Sequence, residues 1–337
     1  MLTILTELPP QLLSATPAEL HRVLRGPTLI HLPGRRVAPL FVSVLLHGSE
    51  YTGLEAVQAL LARYRDRALP RALSLFVGNV AAAARGERRL DGQPDYNRVW
   101  PGADTGRLPE HAMMREVVEQ MRARNVFASI DIHNNTGLNP HYGCVNRLDH
   151  STLHLAVLFS RIVVFFQRPL GVQSMAFSQL CPAVTVECGK AGERTGAEHA
   201  AAFVDAALHL DHFPEHPVTR HDVDLYRTVG IVQVSGEVSF GFGRRDVDLS
   251  FEPDLDRMNF RELPSGTRIA QVNRACAQAL KICDENGAEV AERYFEVIGG
   301  ELRTRQRVTP AMLTLDERII RQDCLCYLME RCPLPAA

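Results

Sequence analysis

Short apolar runs that alternate with helical patterns constrain this chain more than any other feature. "PLFVSVLLHG", residues 39–48, is nearly continuously apolar, as expected of a strand covered on both faces. "YTGLEAVQALLARYR" follows it, with Leu54, Val57, Leu61 and Tyr64 on one helical face. Further strands are expected in "ALSLFVGNV", "FASIDIHNN", "IVVFFQ" and "PAVTVECG". Helices are expected in "EHAMMREVVEQMRAR" and, after a glycine-rich turn, in "GAEHAAAFVDAALHL". This order predicts an α/β domain around a largely parallel or mixed sheet flanked by helices.

From about residue 218 the texture changes. "TVGIVQVSGEVSFGFG", "DVDLSF" and "YFEVIGGELRTRQRVT" are short alternating segments punctuated by glycine, and they predict hairpins in a smaller β-rich domain. "DHFPEHPVTRHD" reads as the linker between the two, which divides the chain into expected domains of 1–214 and 215–337.

With 337 residues and 46% hydrophobic composition, the chain can bury a sizeable core. Its formal net charge of -2, with no long basic stretch, argues against a nucleic-acid partner. No apolar run approaches the roughly 20 residues that span a bilayer. "MLTILTELPPQLLSATP" lacks the basic start of a signal peptide, so a soluble, cytoplasmic protein is expected. The eight cysteines, Cys144, Cys181, Cys188, Cys276, Cys283, Cys324, Cys326 and Cys332, are then expected to be reduced thiols. Cys324, Cys326 and Cys332 cluster, but their spacing matches no common zinc-finger pattern.

The ends of the expected strands are polar. The first run ends at His47 and Glu50, the second at Asn79, the third at His133 and the fifth at Glu187. Open α/β sheets bind ligands outside the carboxyl ends of their strands. If the strands are parallel, His47, Glu50, His133 and Glu187 converge on one edge. Two imidazoles and a carboxylate are the protein ligands of a common type of catalytic zinc site. Glu187 would be left to act as general base. Each residue also has a plainer reading, as a hydrogen-bonded histidine or a polar turn. Asp131 either orients His133 or caps a turn. His212 and His216 have helical spacing, but Pro214 lies between them.

"HGSE" at 47–50, "DYNR" at 95–98, "DIHNNTG" at 131–137 and "VECGK" at 186–190, in that order, resemble the succinylglutamate desuccinylase/aspartoacylase family. The likeness spans roughly residues 40 to 190. It implies a zinc carboxypeptidase-like mixed sheet, and the β-rich remainder fits the second domain of that family. It further implies that His47, Glu50 and His133 hold one Zn2+ per chain and that Glu187 is the general base and acid. Asn97 and Arg98 would hold the substrate's α-carboxylate, a task suited to an arginine fork. Arg88, or by a slip of one Arg89, would polarise the scissile carbonyl. Aspartoacylases carry an arginine shortly before the catalytic glutamate that recognises an acidic side chain. Here Phe177 stands near that place and Arg168 lies farther upstream, so the pocket that selects the substrate is expected around Phe177. Asn135 stands where relatives often carry a hydroxyl.

The expected activity is zinc-dependent hydrolysis of the amide bond of an N-acyl amino acid or related small molecule. A metallocarboxypeptidase acting on peptide C-termini and a non-catalytic binding protein of the same fold are the alternatives. The expected partner is the small-molecule substrate, with no nucleic acid and no membrane, and a homo-oligomer is left open.

Overall fold

The computed structural model describes residues 1–102, 107–274 and 279–334. Cys276 lies outside them, and the other seven cysteines are free thiols. The chain divides into two compact units. The first is built mainly from Met1–Asn134 and His141–Leu225, the second from Asn135–Pro140 and Tyr226–Pro333. Among the described residues no helix is long and apolar enough to cross a membrane.

The first unit runs β1 (Thr3–Leu5), α1 (Leu20–Val23), β2 (Thr28–Leu32), β3 (Gly34–Val44), α2 (Thr52–Arg63), β4 (Leu69–Val77), α3 (Val80–Ala83) and α4 (Pro109–Ala123). It continues with β5 (Ala128–His133), β6 (Tyr142–Val145), α5 (His150–Phe159), β7 (Ile162–Phe165), α6 (Gln173–Phe177), β8 (Ala183–Glu187) and α7 (Arg194–His209). Its strands lie in the order β1-β2-β4-β3-β5-β8-β6-β7. β3 is parallel to β4 and β5, and β5 is parallel to β8. β2 runs antiparallel to β4, and β6 antiparallel to β8, so the sheet is mixed. The central strands are apolar because both faces are covered: every residue of β5 and of β8 is buried.

Helix α2 turns Leu54, Val57, Leu60 and Leu61 inward. Helix α4 buries Met113, Met114, Val117, Val118 and Met121 in a cluster with Phe41, Phe76, Trp100 and Phe177. A turn separates β3 from His47, and Leu45 makes it with φ 57, a left-handed conformation that L-residues adopt at a cost. Gly48 answers a different need. A Cβ there would lie 2.2 Å from the backbone nitrogen of Ala83, so only glycine lets the loop lie against α3.

The second unit contains β9 (Asp224–Val234), β10 (Phe240–Phe242), β11 (Leu249–Phe251), β12 (Arg268–Val272) and β13 (Leu280–Cys283). After these come α8 (Ala291–Tyr294), β14 (Phe295–Ile298), β15 (Glu301–Thr304), β16 (Thr309–Ala311), α9 (Glu317–Gln322) and β17 (Cys326–Arg331). Strand β9 pairs antiparallel with β13 and β17, and β16 pairs with β17. A separate five-stranded sheet has the order β10-β11-β12-β15-β14. β14 and β15 form the hairpin expected in "YFEVIGGELRT", turning at Gly299 and Gly300, both at positive φ. Gly137 belongs to this unit, where a Cβ would lie 1.8 Å from the Leu313 carbonyl oxygen.

Candidate metal centre and active site

Three parallel strands deliver the candidate residues of the first unit. His47 and Glu50 follow β3, and His133 closes β5. Glu187 closes β8 in register with His133. Neighbours in register on adjacent strands project to the same face. One donor atom each from His47, Glu50 and His133 lies within 4.8 Å of the others, and all three residues are buried. This is the one such His/Cys/Asp/Glu group among the described residues, so the cysteines near the C-terminus form none.

Each imidazole is held between two carboxylates. His47 Nδ1 lies 2.8 Å from Glu50 Oε1, and its Nε2 lies 2.9 Å from Asp95 Oδ1. His133 Nδ1 lies 2.7 Å from Glu50 Oε2, and its Nε2 lies 2.8 Å from Asp131 Oδ2. Asp131 also accepts a hydrogen bond from Ser43 Oγ at 2.6 Å. Carboxylates that hold the outer nitrogen of a histidine fix its tautomer and ring orientation and raise its basicity as a ligand. Of the two readings of Asp131, the geometry matches the one that orients His133.

Arg88 donates to Glu50 Oε1 and to Asp95 Oδ2, both at 3.1 Å. Its neighbour Arg89 instead donates to the backbone oxygen of Gln93. Asn97 Nδ2 lies 3.3 Å from His133 Nε2, and Asn97 Oδ1 accepts from the Gln173 backbone N–H at 2.8 Å, which fixes the amide's orientation. Arg98 is partly buried and donates to the Asn97 carbonyl oxygen at 2.8 Å. Asn79 caps α3 by accepting from the Ala82 N–H, and it donates to Gln93.

The electrostatics follow from burial. At His47, burial and Arg88 disfavour the charged ring, but Glu50 and Asp95 outweigh them and raise its pKa. At His133, burial again opposes, and Asp131 with Glu50 carries the pKa well above the imidazole range. Burial would lift Glu50, yet the two imidazoles hold it well below the carboxylate range. Asp95 is likewise low, against the pull of burial, because of His47 and Arg88. Glu187 behaves differently. Burial, with Glu50 adding to it and His133 opposing, pushes its carboxyl up to about 7.

The donor set fits a divalent cation. Glu50, Asp95, Asp131 and Glu187 crowd one buried site, where Arg88 pairs with Glu50 and Asp95 and the Arg98 charge also acts on Asp95. Buried carboxylates are stable only when compensated. His47 Nδ1 is buried and makes no hydrogen bond of acceptable geometry despite its closeness to Glu50. An imidazole nitrogen left so beside a carboxylate is what a metal ligand looks like. Two imidazoles and a carboxylate suit zinc and related transition metals.

The Phe177 ring, near which the substrate pocket is expected, lies in the core. Phe177 is fully buried, stacks on Phe41 at 4.3 Å and meets Trp100 edge-on at 5.9 Å. Five-residue α6 turns its ring into the core, where an arginine would have no charged partner. Arg168 is partly buried in the loop before α6. His212 lies beyond the last helical residue of α7, with no helix joining it to His216.

Three residues escape sequence reasoning. Asp95 sits inside "DYNR", but its partner His47 is 48 residues away. Asn134 receives the Thr52 N–H, donates to Thr52 Oγ1 and the Gly189 carbonyl, and offers its own N–H to Glu50 Oε2. It ties the start of α2 to the turn after β8. Gln173 orients Asn97 through its backbone. The only sequence signal for the first two is polarity beside a histidine or arginine in a motif.

The fold and centre together define an α/β protein with a buried two-histidine, one-carboxylate site at its strand ends. Residues 37–213, more than half of the chain, match the model of the succinylglutamate desuccinylase/aspartoacylase catalytic domain, and the chain belongs to that family. No curated protein matches it by sequence. Among solved structures, it is similar to the succinylglutamate desuccinylase of Chromobacterium violaceum, with 20% identity, a TM-score of 0.55 and coverage of 89% of this chain and 87% of that one. The succinylglutamate desuccinylase/aspartoacylase of Rhodobacter sphaeroides gives 14% identity, a TM-score of 0.57 and coverage of 90% and 88%. Murine aminoacylase 3 gives 16% identity, a TM-score of 0.55 and coverage of 90% and 99%. At these identities the likeness is one of fold.

Proposed function

We propose that this protein is a zinc-dependent hydrolase that cleaves the amide bond of an N-acyl amino acid or related small molecule. The observation that carries the reading is the buried group of His47, Glu50 and His133 with Glu187 in register beside it. Family membership and the names of the similar proteins, desuccinylase, aspartoacylase and aminoacylase, support removal of an acyl group.

His47, Glu50 and His133 would hold one Zn2+ per chain. When bound, zinc supplies a Lewis acid for the scissile carbonyl and lowers the pKa of water to about 7. Glu187 manages the proton. Its carboxyl, raised by burial, can take a proton from the attacking water as carboxylate and return one to the leaving nitrogen as acid. Arg88, aimed at the centre by Asp95, would meet the oxygen on which negative charge develops. Asn97, oriented by Gln173, and the Arg98 guanidinium would bind the substrate carboxylate. Asp131 and Asp95 hold the imidazoles in place.

A screen of N-acetyl and N-succinyl amino acids beside short peptides, with zinc present, tests this reading. Turnover of an acyl amino acid is expected, with most of it lost in Glu187→Gln while zinc is retained. Cleavage of peptide C-termini alone would favour the carboxypeptidase alternative. Zinc binding without turnover of any compound would favour a binding protein.

A further inference from the structure

A concavity of about 810 Å3 lies in the first unit, in the size range of small-molecule sites. The 3-10 turn Pro10–Leu13, the junction of β2 and β3, the end of α2 and the start of β4 line it. One wall is anchored: Gln58 of α2 donates to the carbonyl oxygens of Leu12 and Ala15, at 2.7 and 2.8 Å. Leu8, Leu13, Leu32, Leu61, Leu69 and the Tyr64 ring form an apolar floor. The Tyr64 hydroxyl is turned away to Asp205 at 2.6 Å, so the ring alone faces the groove.

The charged part of the lining is of one sign. Arg35, Arg65 and Arg67 line the groove, and no carboxylate does. Arg67 is held over Tyr64, 4.5 Å from the ring centroid, by a hydrogen bond to the Arg63 carbonyl. Arg35 and Arg65 have no ion-pair or side-chain hydrogen-bond partner among the described residues. Asparagine, glutamine, serine and threonine are also missing from the lining, so an extended peptide would find no side-chain acceptors for its backbone N–H groups. Aliphatic walls and unpaired guanidinium groups suit a ligand with an aliphatic body and one anionic head.

We propose that this groove binds a free fatty-acid carboxylate, with its chain on the leucine floor and its head on Arg35 and Arg65. The test is calorimetric titration of the full chain with octanoate, decanoate and acetate, and with decyltrimethylammonium. One saturable decanoate site per chain is expected, tightening by about fourfold for each buried methylene. Acetate should not bind measurably, and the cation should bind at least tenfold more weakly than decanoate. The double variant Arg35→Ser/Arg65→Ser should weaken decanoate at least tenfold, and Leu13→Asp should remove the site. Arg98→Ala should leave decanoate binding unchanged, which separates the groove from the candidate active site. The proposal is overturned by decanoate binding that never saturates, by binding that survives the double arginine variant, or by binding lost only in Arg98→Ala. Preference for an acidic amphipathic peptide over decanoate at this groove would overturn it as well.

Discussion

Two clusters in the first unit are built from the same strands and opposite chemistry. Strand β3 gives Phe41 to an aromatic cluster with Phe76, Trp100 and Phe177, and leads into His47 of the polar centre. Strand β8 gives Ala183 to the first and Glu187 to the second. The aromatic cluster gains stability from burying apolar area. The polar centre takes four carboxylates and two imidazoles out of water, which seldom stabilises a fold. One sheet therefore divides the work: the apolar side keeps the chain folded, and the strand ends spend part of that stability on chemistry. Substitutions in the two clusters should separate stability from activity.

The largest separation is expected at Glu187. Glu187→Gln should lower turnover by about 10²–10⁴-fold, the usual contribution of a general base, while the denaturant midpoint stays level or rises. A fall in stability with activity intact would erase the contrast. Phe177→Ala is the mirror image. It should cost about 3–5 kcal/mol in urea unfolding, because the stacked ring leaves a cavity beside Phe41 and Trp100. The protein that remains folded should keep its zinc affinity.

Asp131→Asn probes the seam between the two. It keeps the shape but removes the charge that holds His133, so zinc affinity should fall by about 10–100-fold in chelator competition. An unchanged affinity would return Asp131 to a purely local role.

The smallest effect concerns an imidazole without a carboxylate. His31 is buried with Ser74 Oγ as its partner, and burial together with Arg124 pushes its pKa down to about 4. The unfolded chain takes up a proton near pH 6.5 and the folded chain does not. Its contribution to stability is thus present above pH 6.5 and lost as pH falls toward about 4. Between pH 7 and 5 this should amount to about 1–2 kcal/mol, and His31→Gln should flatten that slope in urea melts.

Much of this division was readable in the sequence. The alternation of apolar runs and helical faces identified β3, β4, β5, β7 and β8, with α2 and α4 between them and α7 after the last. The rule that ligands gather at the carboxyl ends of parallel strands then brought His47, Glu50, His133 and Glu187 together. Other features were not legible because their causes are long-range. Antiparallel β2 and β6 carry no local mark of direction. The turn at Leu45 uses a residue that gives no turn signal. Asn134 has partners 82 and 55 residues away, which no local spacing encodes. Phe177 misled because its position relative to Glu187 evoked a substrate contact, whereas packing against Phe41 decides where its ring goes.

The proposed catalytic role of a zinc ion held by His47, Glu50 and His133 stands or falls on metal stoichiometry. Titration of metal-free protein with Zn2+, followed by calorimetry and elemental analysis, tests it most directly. One tightly bound zinc per chain is expected, with hydrolysis of an acyl amino acid regained in proportion to zinc added and both lost in His133→Ala. Failure to bind stoichiometric zinc, or equal binding and activity in His133→Ala, would contradict it.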